Sequence, residues 1–285
     1  MKHQLLTITF LLTIAQTLLA QTADDWLFKS KEKLDNKDYA GAIADCDKAL
    51  AINPRSFIAF INRGVAKDKL GQHEGAIADY DQAAAIDPSS ATIFRYRGDS
   101  KDELGRHVEA ISDYGRAIAL DPKLVGAYNN RGYSEYFLGQ YTECIGDWET
   151  AIALDPTQKE AFNNLGSVKI ILGQYADAIT DCDQAIELDP GFADAYANRA
   201  QAKDNLSNYT DALIDCEKAI TLDPKNADAY NIRGYAYFKL GNTKENYRKA
   251  IADYDMAIQL GGSDYKPDFK YRDEAAAAMA TAEGP

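Results

Sequence analysis

The sequence DPKLVGAYNNRGYSEYFLGQYTECIGDWETAIALDP, residues 121–156, begins and ends with an Asp-Pro pair. The same interval of 34 residues separates six successive prolines, each preceded by Asp or, once, by Asn. They are Pro54, Pro88, Pro122, Pro156, Pro190 and Pro224. A fixed period of this length is the sequence signature of a solenoid of small repeats. We therefore number positions within each repeat from Ala23, which places these prolines at position 32.

Each period contains two helix-like stretches. Apolar and small residues recur at helical spacing on either side of a short polar turn, such as Leu70-Gly71-Gln72-His73. Proline ends the second stretch, because it cannot continue a helix and disfavours helical geometry at the residue before it. The sequence thus predicts one helix hairpin per period. The predicted repeats are residues 23–56, 57–90, 91–124, 125–158, 159–192, 193–226 and 227–262.

Three positions are expected to hold the hairpins together. Position 8 is Gly in five repeats and position 20 is Ala in six, which would let the two backbones approach closely. Position 4 is always aromatic, and we expect these rings to pack as wedges between consecutive hairpins. The rings are Trp26, Phe60, Phe94, Tyr128, Phe162, Tyr196 and Tyr230.

The combination of these residues with an aromatic or small apolar residue at position 24, Ala at 27 and Pro at 32 resembles the tetratricopeptide repeat family. The resemblance implies an all-α fold, a right-handed superhelical α-solenoid of antiparallel helix hairpins. It also implies a concave face, lined by the first helices, that commonly binds an extended peptide or a partner helix. Residues 263–285 are predicted to form a C-terminal capping helix and tail, with Ser263 and Asp264 as helix caps.

The chain departs from the family pattern at position 7, where Leu is usual. Here the position is Arg in five repeats, and position 23 is Asp in all seven. A half-buried arginine requires a paired acceptor, so we expect a ladder of Arg-to-Asp pairs along the stack. The alternative is that these residues are solvated surface charges, which contribute little to stability.

Residues 1–20 differ in character from the rest. Lys2 and His3 precede an apolar run that ends at Leu18-Leu19-Ala20, which is typical of a secretory signal peptide cleaved after Ala20. A membrane anchor is the alternative, although the run is shorter than the ~20 apolar residues that a spanning helix needs. The sequence therefore predicts an exported protein, periplasmic or extracellular, with no transmembrane segment once the signal is removed.

Composition argues against several classes of function. The formal net charge is −13, so the surface should repel nucleic acid. His73 and His107 stand where other repeats have Tyr, outside any catalytic or metal-ligand spacing. No phosphate loop, metal cluster or nucleophile motif is present, so we expect neither a cofactor nor enzymatic activity. The four cysteines are expected to be reduced and buried, because equivalent positions on successive hairpins lie too far apart for a disulfide.

The inner face is the expected functional surface. The resemblance places positions 2, 5, 6, 9, 12 and 13 of each first helix there, and asparagines accumulate at positions 5 and 6. An asparagine amide both donates and accepts hydrogen bonds, so a row of them can hold a peptide backbone, and nearby aromatic residues can anchor side chains. The predicted groove comprises Asn129, Asn130, Tyr133, Tyr136, Phe137, Asn163, Asn164, Ile170, Asn198, Asn231 and Tyr235.

Two further expectations concern this face. Repeats two and three carry Asp68, Asp99, Asp102 and Glu103, an acidic stretch that could bind a basic segment. The alternative for the asparagines and tyrosines is that they are family-typical residues packing between adjacent helices.

The sequence thus predicts a non-enzymatic, exported interaction scaffold that binds a protein or peptide ligand along its concave face. The competing hypothesis is a structural subunit of a cell-envelope assembly, or an array that self-associates, in which the groove has no specific ligand.

Overall fold

The computed structural model of the chain describes residues 21–241, 243–261 and 269–281. The predicted signal, residues 1–20, and the predicted caps Ser263 and Asp264 lie outside them. Fifteen α-helices and no strands occur in the described ranges, which confirms the all-α repeat fold. The helices are α1 Ala23–Asp35, α2 Tyr39–Ile52, α3 Phe57–Lys69, α4 His73–Ile86, α5 Ala91–Glu103, α6 His107–Leu120, α7 Val125–Phe137, α8 Tyr141–Leu154, α9 Lys159–Ile171, α10 Tyr175–Leu188, α11 Ala193–Asn205, α12 Tyr209–Leu222, α13 Ala227–Leu240, α14 Lys244–Gly261 and α15 Phe269–Thr281.

Proline and glycine determine where the helices end. The odd-numbered helices α1 to α13 begin 34 residues apart, and α2, α4, α6, α8, α10 and α12 each end two residues before a proline. The residue between is extended, as at Asp121 with φ −135° and ψ 94°, because proline disfavours helical geometry before it. The turn within the hairpin uses a left-handed residue, such as Gly71 with φ 72°.

The chain divides into two compact units at Leu138. The first contains α1 to α7, and within it each helix packs against the next one along the chain. Phe94 is 6% exposed and packs in a cluster with Ala84 of the preceding hairpin and Ala127 of the following one. The ring at position 4 is therefore a wedge between hairpins here, as the sequence predicted.

The second unit contains α8 to α15. Its last hairpin has an α14 of 18 residues, against 14 in α12, and the extra turn leaves Ala250 and Asp253 buried as in the other repeats. The C-terminal helix α15 packs against α14 and α13. Ala275 is buried in that contact, and Arg272 Nε donates to Asp255 Oδ1 at 2.6 Å. This is the arrangement expected of a capping helix.

The glycines Gly64, Gly98 and Gly166 at position 8 meet the side chain at position 24 most closely, whereas at Gly234 the backbone oxygen at position 20 is as near. A Cβ placed on Gly166 would lie 2.6 Å from Cys182 Sγ and 3.3 Å from the carbonyl oxygen of Ala178. A Cβ on Gly64 would lie 2.6 Å from the ring of Tyr80. The close backbone approach is confirmed at Gly166, but position 24 sets the tightest contact.

The predicted Arg-to-Asp ladder is confirmed, and it has more members than expected. Arg63 donates to both carboxylate oxygens of Asp79, with the shortest contact 2.6 Å from Nη2 to Oδ1. Its Nη1 donates at 2.6 Å to Asp47 of the preceding repeat, and Lys67 Nζ lies 2.7 Å from Asp79. Asp79 is 3% exposed, so these are not solvated surface charges. The same pairing recurs at Arg97, Arg199 and Arg233.

The four cysteines are free and buried, as predicted. Burial raises the pKa of the Cys46 thiol to about 11 and that of Cys182 to about 12. Both thiols are therefore protonated and poorly nucleophilic at neutral pH.

The contact at position 8 predicts opposite effects for two Gly-to-Ala changes in the second unit. Gly166→Ala should destabilise the protein by about 1–3 kcal/mol, because overpacking outweighs the gain in helix propensity. Gly146→Ala, on the exposed face of α8, should stabilise it by about 0.5–1 kcal/mol, since no atom lies within 4 Å of the new Cβ. Urea unfolding followed by circular dichroism measures both. Equal stabilisation by the two variants would show that Gly166 is not packed closely against Cys182 and Ala178.

Removing one acceptor of Arg63 should matter far more than removing the other. Asp79→Ala leaves Arg63 and Lys67 without their buried partner and should destabilise the protein by about 3–5 kcal/mol. Asp47→Ala removes an acceptor that is 55% exposed and should change stability by less than about 1 kcal/mol. The free energy of unfolding in urea tests the difference, and similar values for both variants would show that burial does not strengthen the Asp79 contacts.

Candidate functional site

One candidate site is a cavity of about 470 Å³ in the first unit, which we call the acidic cavity. Its wall is formed mainly by the first helices α3, α5 and α7, with one tyrosine each from α4 and α6 behind them. It includes all four members of the acidic stretch and two predicted groove residues. These are Asp68, Asp99, Asp102, Glu103, Asn130 and Tyr133.

Hydrogen bonds from the same repeat and from the next one hold these carboxylates in place. Asp68 accepts from Tyr80 Oη at 2.8 Å and from Ser100 Oγ at 2.8 Å. His73 Nδ1 lies 3.2 Å from the same carboxylate. Asp102 has the equivalent contacts, with Ser134 Oγ at 2.7 Å and His107 Nδ1 at 2.6 Å. His73 and His107, the first residues of α4 and α6, are thus half-buried partners of Asp68 and Asp102.

Asp99 lies at the centre of the acidic cavity. It accepts from Asn130 Nδ2 at 2.7 Å and from Tyr114 Oη at 3.0 Å, while Arg95 Nη1 donates to its other oxygen at 2.8 Å. Burial raises the pKa of Asp99, and the charge of Arg95 opposes that shift. Burial, with the facing carboxylates, also raises the pKa of Tyr80 and Tyr114, so both hydroxyls remain donors at neutral pH.

An aromatic patch adjoins the acidic cavity on α7. It consists of Tyr133, Tyr136 and Phe137, with ring centroids 4.8 Å apart between Tyr133 and Phe137 and 5.9 Å between Tyr136 and Phe137. The ring of His107 stacks on Phe137 at 5.1 Å. Tyr133 is 46% exposed and Phe137 is 54% exposed, so the patch offers apolar surface to a ligand. The structure therefore brings the predicted aromatic residues of repeat four beside the acidic stretch.

The asparagines are used partly within the protein. Asn130 donates to Asp99, and Asn198 Nδ2 donates to Asn163 Oδ1 at 2.9 Å, in both cases on the preceding first helix. Asn62 donates to Ser30 in the same way, at 3.1 Å. These bonds match the alternative that such residues pack between adjacent helices, and each leaves one amide hydrogen and an acceptor for other partners.

Two predicted groove residues of the second unit are buried. Ile170 is 8% exposed and packs in a core cluster with Ala178 and Ala202, and Asn163 is 9% exposed. Ile170 is therefore a core residue rather than a groove contact, because its side chain is already covered by the neighbouring helices. Asn164 is half-buried on α9.

Asn129 is half-buried on α7. Two further predicted residues, Asn231 and Tyr235, line a second cavity of about 220 Å³, which we call the tyrosine cavity. Its other walls come from residues that the sequence did not single out. They are Gln201, Asp204, Asn205, Ile232, Tyr254 and Tyr271. Asp204 occupies position 12, as Asp68 and Asp102 do, and this shared register was the signal available in the sequence.

The described part of the chain shows no sign of two other kinds of site. Among residues 21–241, 243–261 and 269–281, no cluster of three or more His, Cys, Asp or Glu side chains could hold a metal ion. Within the same ranges, no helix has the length and hydropathy needed to cross a membrane.

Comparison with family models matches the chain over most of its repeats. Two tetratricopeptide repeat models match residues 160–192 and 193–226 and residues 216–259. A third model, described as TPR repeat, matches residues 69–105 and 98–136. No curated protein sequence matches the chain.

Solved structures share the fold. A tetratricopeptide repeat protein from Parabacteroides merdae is 20% identical, with a TM-score of 0.68 over 92% of this chain and 100% of that one. PilW, described as a widely conserved type IV pilus biogenesis factor, is 22% identical, with a TM-score of 0.67 over 75% and 99%. YrrB, described as a TPR protein with an unusual peptide-binding site, is 25% identical, with a TM-score of 0.54 over 65% and 95%.

Proposed function

Because the chain belongs to the tetratricopeptide repeat family, we propose that it is an exported, non-enzymatic scaffold whose first helices bind an extended segment of a partner protein. The observation that carries the proposal is the junction of the acidic cavity with the aromatic patch in the first unit. Tyr133 lines the cavity and packs against Phe137, so an apolar anchor and a negatively charged recess belong to one surface.

The chemistry of this surface defines the segment that it suits. Four carboxylates line the cavity against two cationic side chains, Arg95 and Lys69. Asp68 and Asp99 are saturated by internal donors, whereas Glu103 is exposed at the rim. A partner segment with an aromatic or aliphatic residue beside a basic one would bury the patch and meet the negative potential.

The aromatic patch is the part of this surface that should supply most of the binding energy. Large aromatic side chains at the centre of an interface are frequent hot spots, because they bury much apolar area with little loss of conformational entropy. The carboxylates around them should contribute mainly to specificity and to the rate of association. Peptide binding by the neighbour YrrB is consistent with this use of the fold.

Export rests on the character of residues 1–20 and is consistent with a fold shared with the pilus biogenesis factor PilW. In its own host, the mature protein should be recovered outside the cytoplasm with an N-terminus at or near Gln21. N-terminal sequencing by mass spectrometry of the fractionated cells tests this. Leu11→Arg with Leu12→Arg should abolish export, because charge in the apolar run prevents its use as a signal. A cytoplasmic chain that retains Met1 would contradict export.

The patch predicts a loss of peptide binding in one specific variant. Peptides selected from a random display library on residues 21–285 should bind Tyr133→Ala/Phe137→Ala at least about tenfold more weakly, since each exposed ring contributes about 1 kcal/mol or more. The matched control Ile52→Ala/Leu120→Ala removes side chains that are 53% and 38% exposed on second helices of the first unit. It should change affinity less than about twofold.

Fluorescence anisotropy with a labelled peptide gives the affinities, and circular dichroism verifies that each variant is folded. Equal weakening by both variants would exclude the aromatic patch as the binding surface. A failure to select any peptide, together with concentration-dependent growth in molecular mass, would instead favour a self-associating array.

A further inference from the structure

Position 12 is aspartate in three repeats, and the three carboxylates have different surroundings. Asp68 and Asp102 in the first unit each accept a hydrogen bond from a serine at position 10 of the next repeat. Each also has a histidine at position 17 of its own repeat within hydrogen-bond distance. These two carboxylates are satisfied by the protein itself.

Asp204 in the second unit lacks residues equivalent to the hydrogen-bonding partners of Asp68 and Asp102. The position of the serine is taken by Ala236, and the position of the histidine by Tyr209. The tyrosine that donates to Asp68 is replaced by Cys216. Asp204 is only 5% exposed, yet its Oδ1 has no hydrogen-bond partner among the described residues.

A buried polar atom without a partner is unfavourable, by about 1–3 kcal/mol for a neutral group and more for a charge. Burial alone accordingly raises the pKa of Asp204 to about 8. Natural proteins retain few such groups, and each is a candidate for a role in binding.

The tyrosine cavity, into which Asp204 faces, has the composition of a cation site. Amide groups of Gln201, Asn205 and Asn231 line it and can supply carbonyl oxygens as acceptors. The rings of Tyr235 and Tyr271 meet edge to face there, with centroids 4.9 Å apart. Carbonyl oxygens, aromatic faces and one carboxylate are the groups that surround ammonium ions in proteins.

Other titratable groups adjoin the carboxylate. Tyr254 and Tyr271 face the cavity from α14 and α15, Tyr235 faces it from α13, and the Cys216 thiol adjoins Asp204 from α12. Lys239 lies outside the lining, with Nζ 5.2 Å from the centroid of Tyr235, which shows that this ring already attracts an ammonium.

We infer that the tyrosine cavity binds a primary ammonium group, such as a lysine side chain of the partner segment, with Asp204 as its counter-ion. A cavity of about 220 Å³ suits the compact point charge of an ammonium better than the wider planar fork of a guanidinium. The link to a partner segment rests on the proposed scaffold function, whereas the ammonium site itself does not.

The test uses blocked tripeptides on the folded chain of residues 21–285. The probes are acetyl-Gly-Lys-Gly-amide, its norleucine analogue, which lacks the charge, and its arginine analogue. NMR spectra of protein labelled with ¹³C at the aspartate carboxyl carbons report both the titration of Asp204 and its response to each probe. Asp204→Asn assigns the signal, because that variant removes it.

We expect the lysine probe to shift the Asp204 signal and to saturate, and the norleucine probe to leave it unchanged. Affinity should rise about tenfold per pH unit below the pKa of about 8 and level off above it, because the carboxyl must lose its proton to pair with the ammonium. The lysine probe stays charged throughout that range, with a pKa of about 10.4.

Two variants distinguish binding of the lysine probe at Asp204 from general attraction of a cationic peptide to an acidic protein. Asp204→Asn should bind the lysine probe at least about tenfold more weakly at pH 8, while keeping its helical circular dichroism. Glu217→Gln removes an exposed carboxylate from α12 in the same unit and should change affinity less than about twofold.

Several results would overturn the inference. They are equal binding of lysine and norleucine probes, unchanged lysine affinity in Asp204→Asn, and arginine binding as tight as lysine. The comparison of probes requires no variant, so it decides the matter even if Asp204→Asn does not fold. Because the proposed peptide surface is tested with Tyr133 and Phe137 in the first unit, either proposal can fail while the other stands.

Discussion

A buried aspartate in the second helix of a hairpin is the constraint on which much of the structure depends. Asp79 receives Arg63 and Lys67 of its own first helix, and the same arginine reaches Asp47 of the preceding repeat. Buried ion pairs often add little net stability, but losing one partner is expensive, so they favour one register over all others. The core clusters beside them consist largely of alanines, which could slide with small penalties. The ion pairs therefore fix the register of the helices, which packing of the alanines alone would not define.

With the hairpins held in register, the exposed positions of the first helices are free to differ between repeats. In the first unit, Asp68, Asp99 and Asp102 of the acidic cavity are paired internally, and exposed rings at Tyr133 and Phe137 lie beside them. In the second unit Asp204 lacks those internal donors within a smaller cavity of tyrosines and amides. The same scaffold thus presents one surface whose buried carboxylates already have partners within the protein and one whose buried carboxylate lacks a partner.

Sequence reasoning succeeded where the cause is local. Proline at position 32 ends each second helix, and the extra four residues of the last repeat lengthen α14 without exposing Asp253. It was less successful where a side chain can contact either a ligand or a neighbouring helix. Ile170 is a core residue, and the amides of Asn130 and Asn198 are partly spent on the preceding helix. The acceptor Asp47 was also missed, because the pairing that matters joins two repeats rather than one hairpin.

The sequence by itself determined the period, the helix hairpins and their ends, because Pro, Gly and helical spacing act over a few residues. It also determined which positions carry the buried charges. Only the tertiary structure decided what each polar residue does, because the deciding contacts join residues about one repeat apart, such as Ser100 and Asp68. Asp68 and Asp204 occupy the same position of the repeat, yet one is satisfied and the other is not. That difference arises from neighbours on two other helices, whose combined effect on a carboxylate exists only once they are packed together.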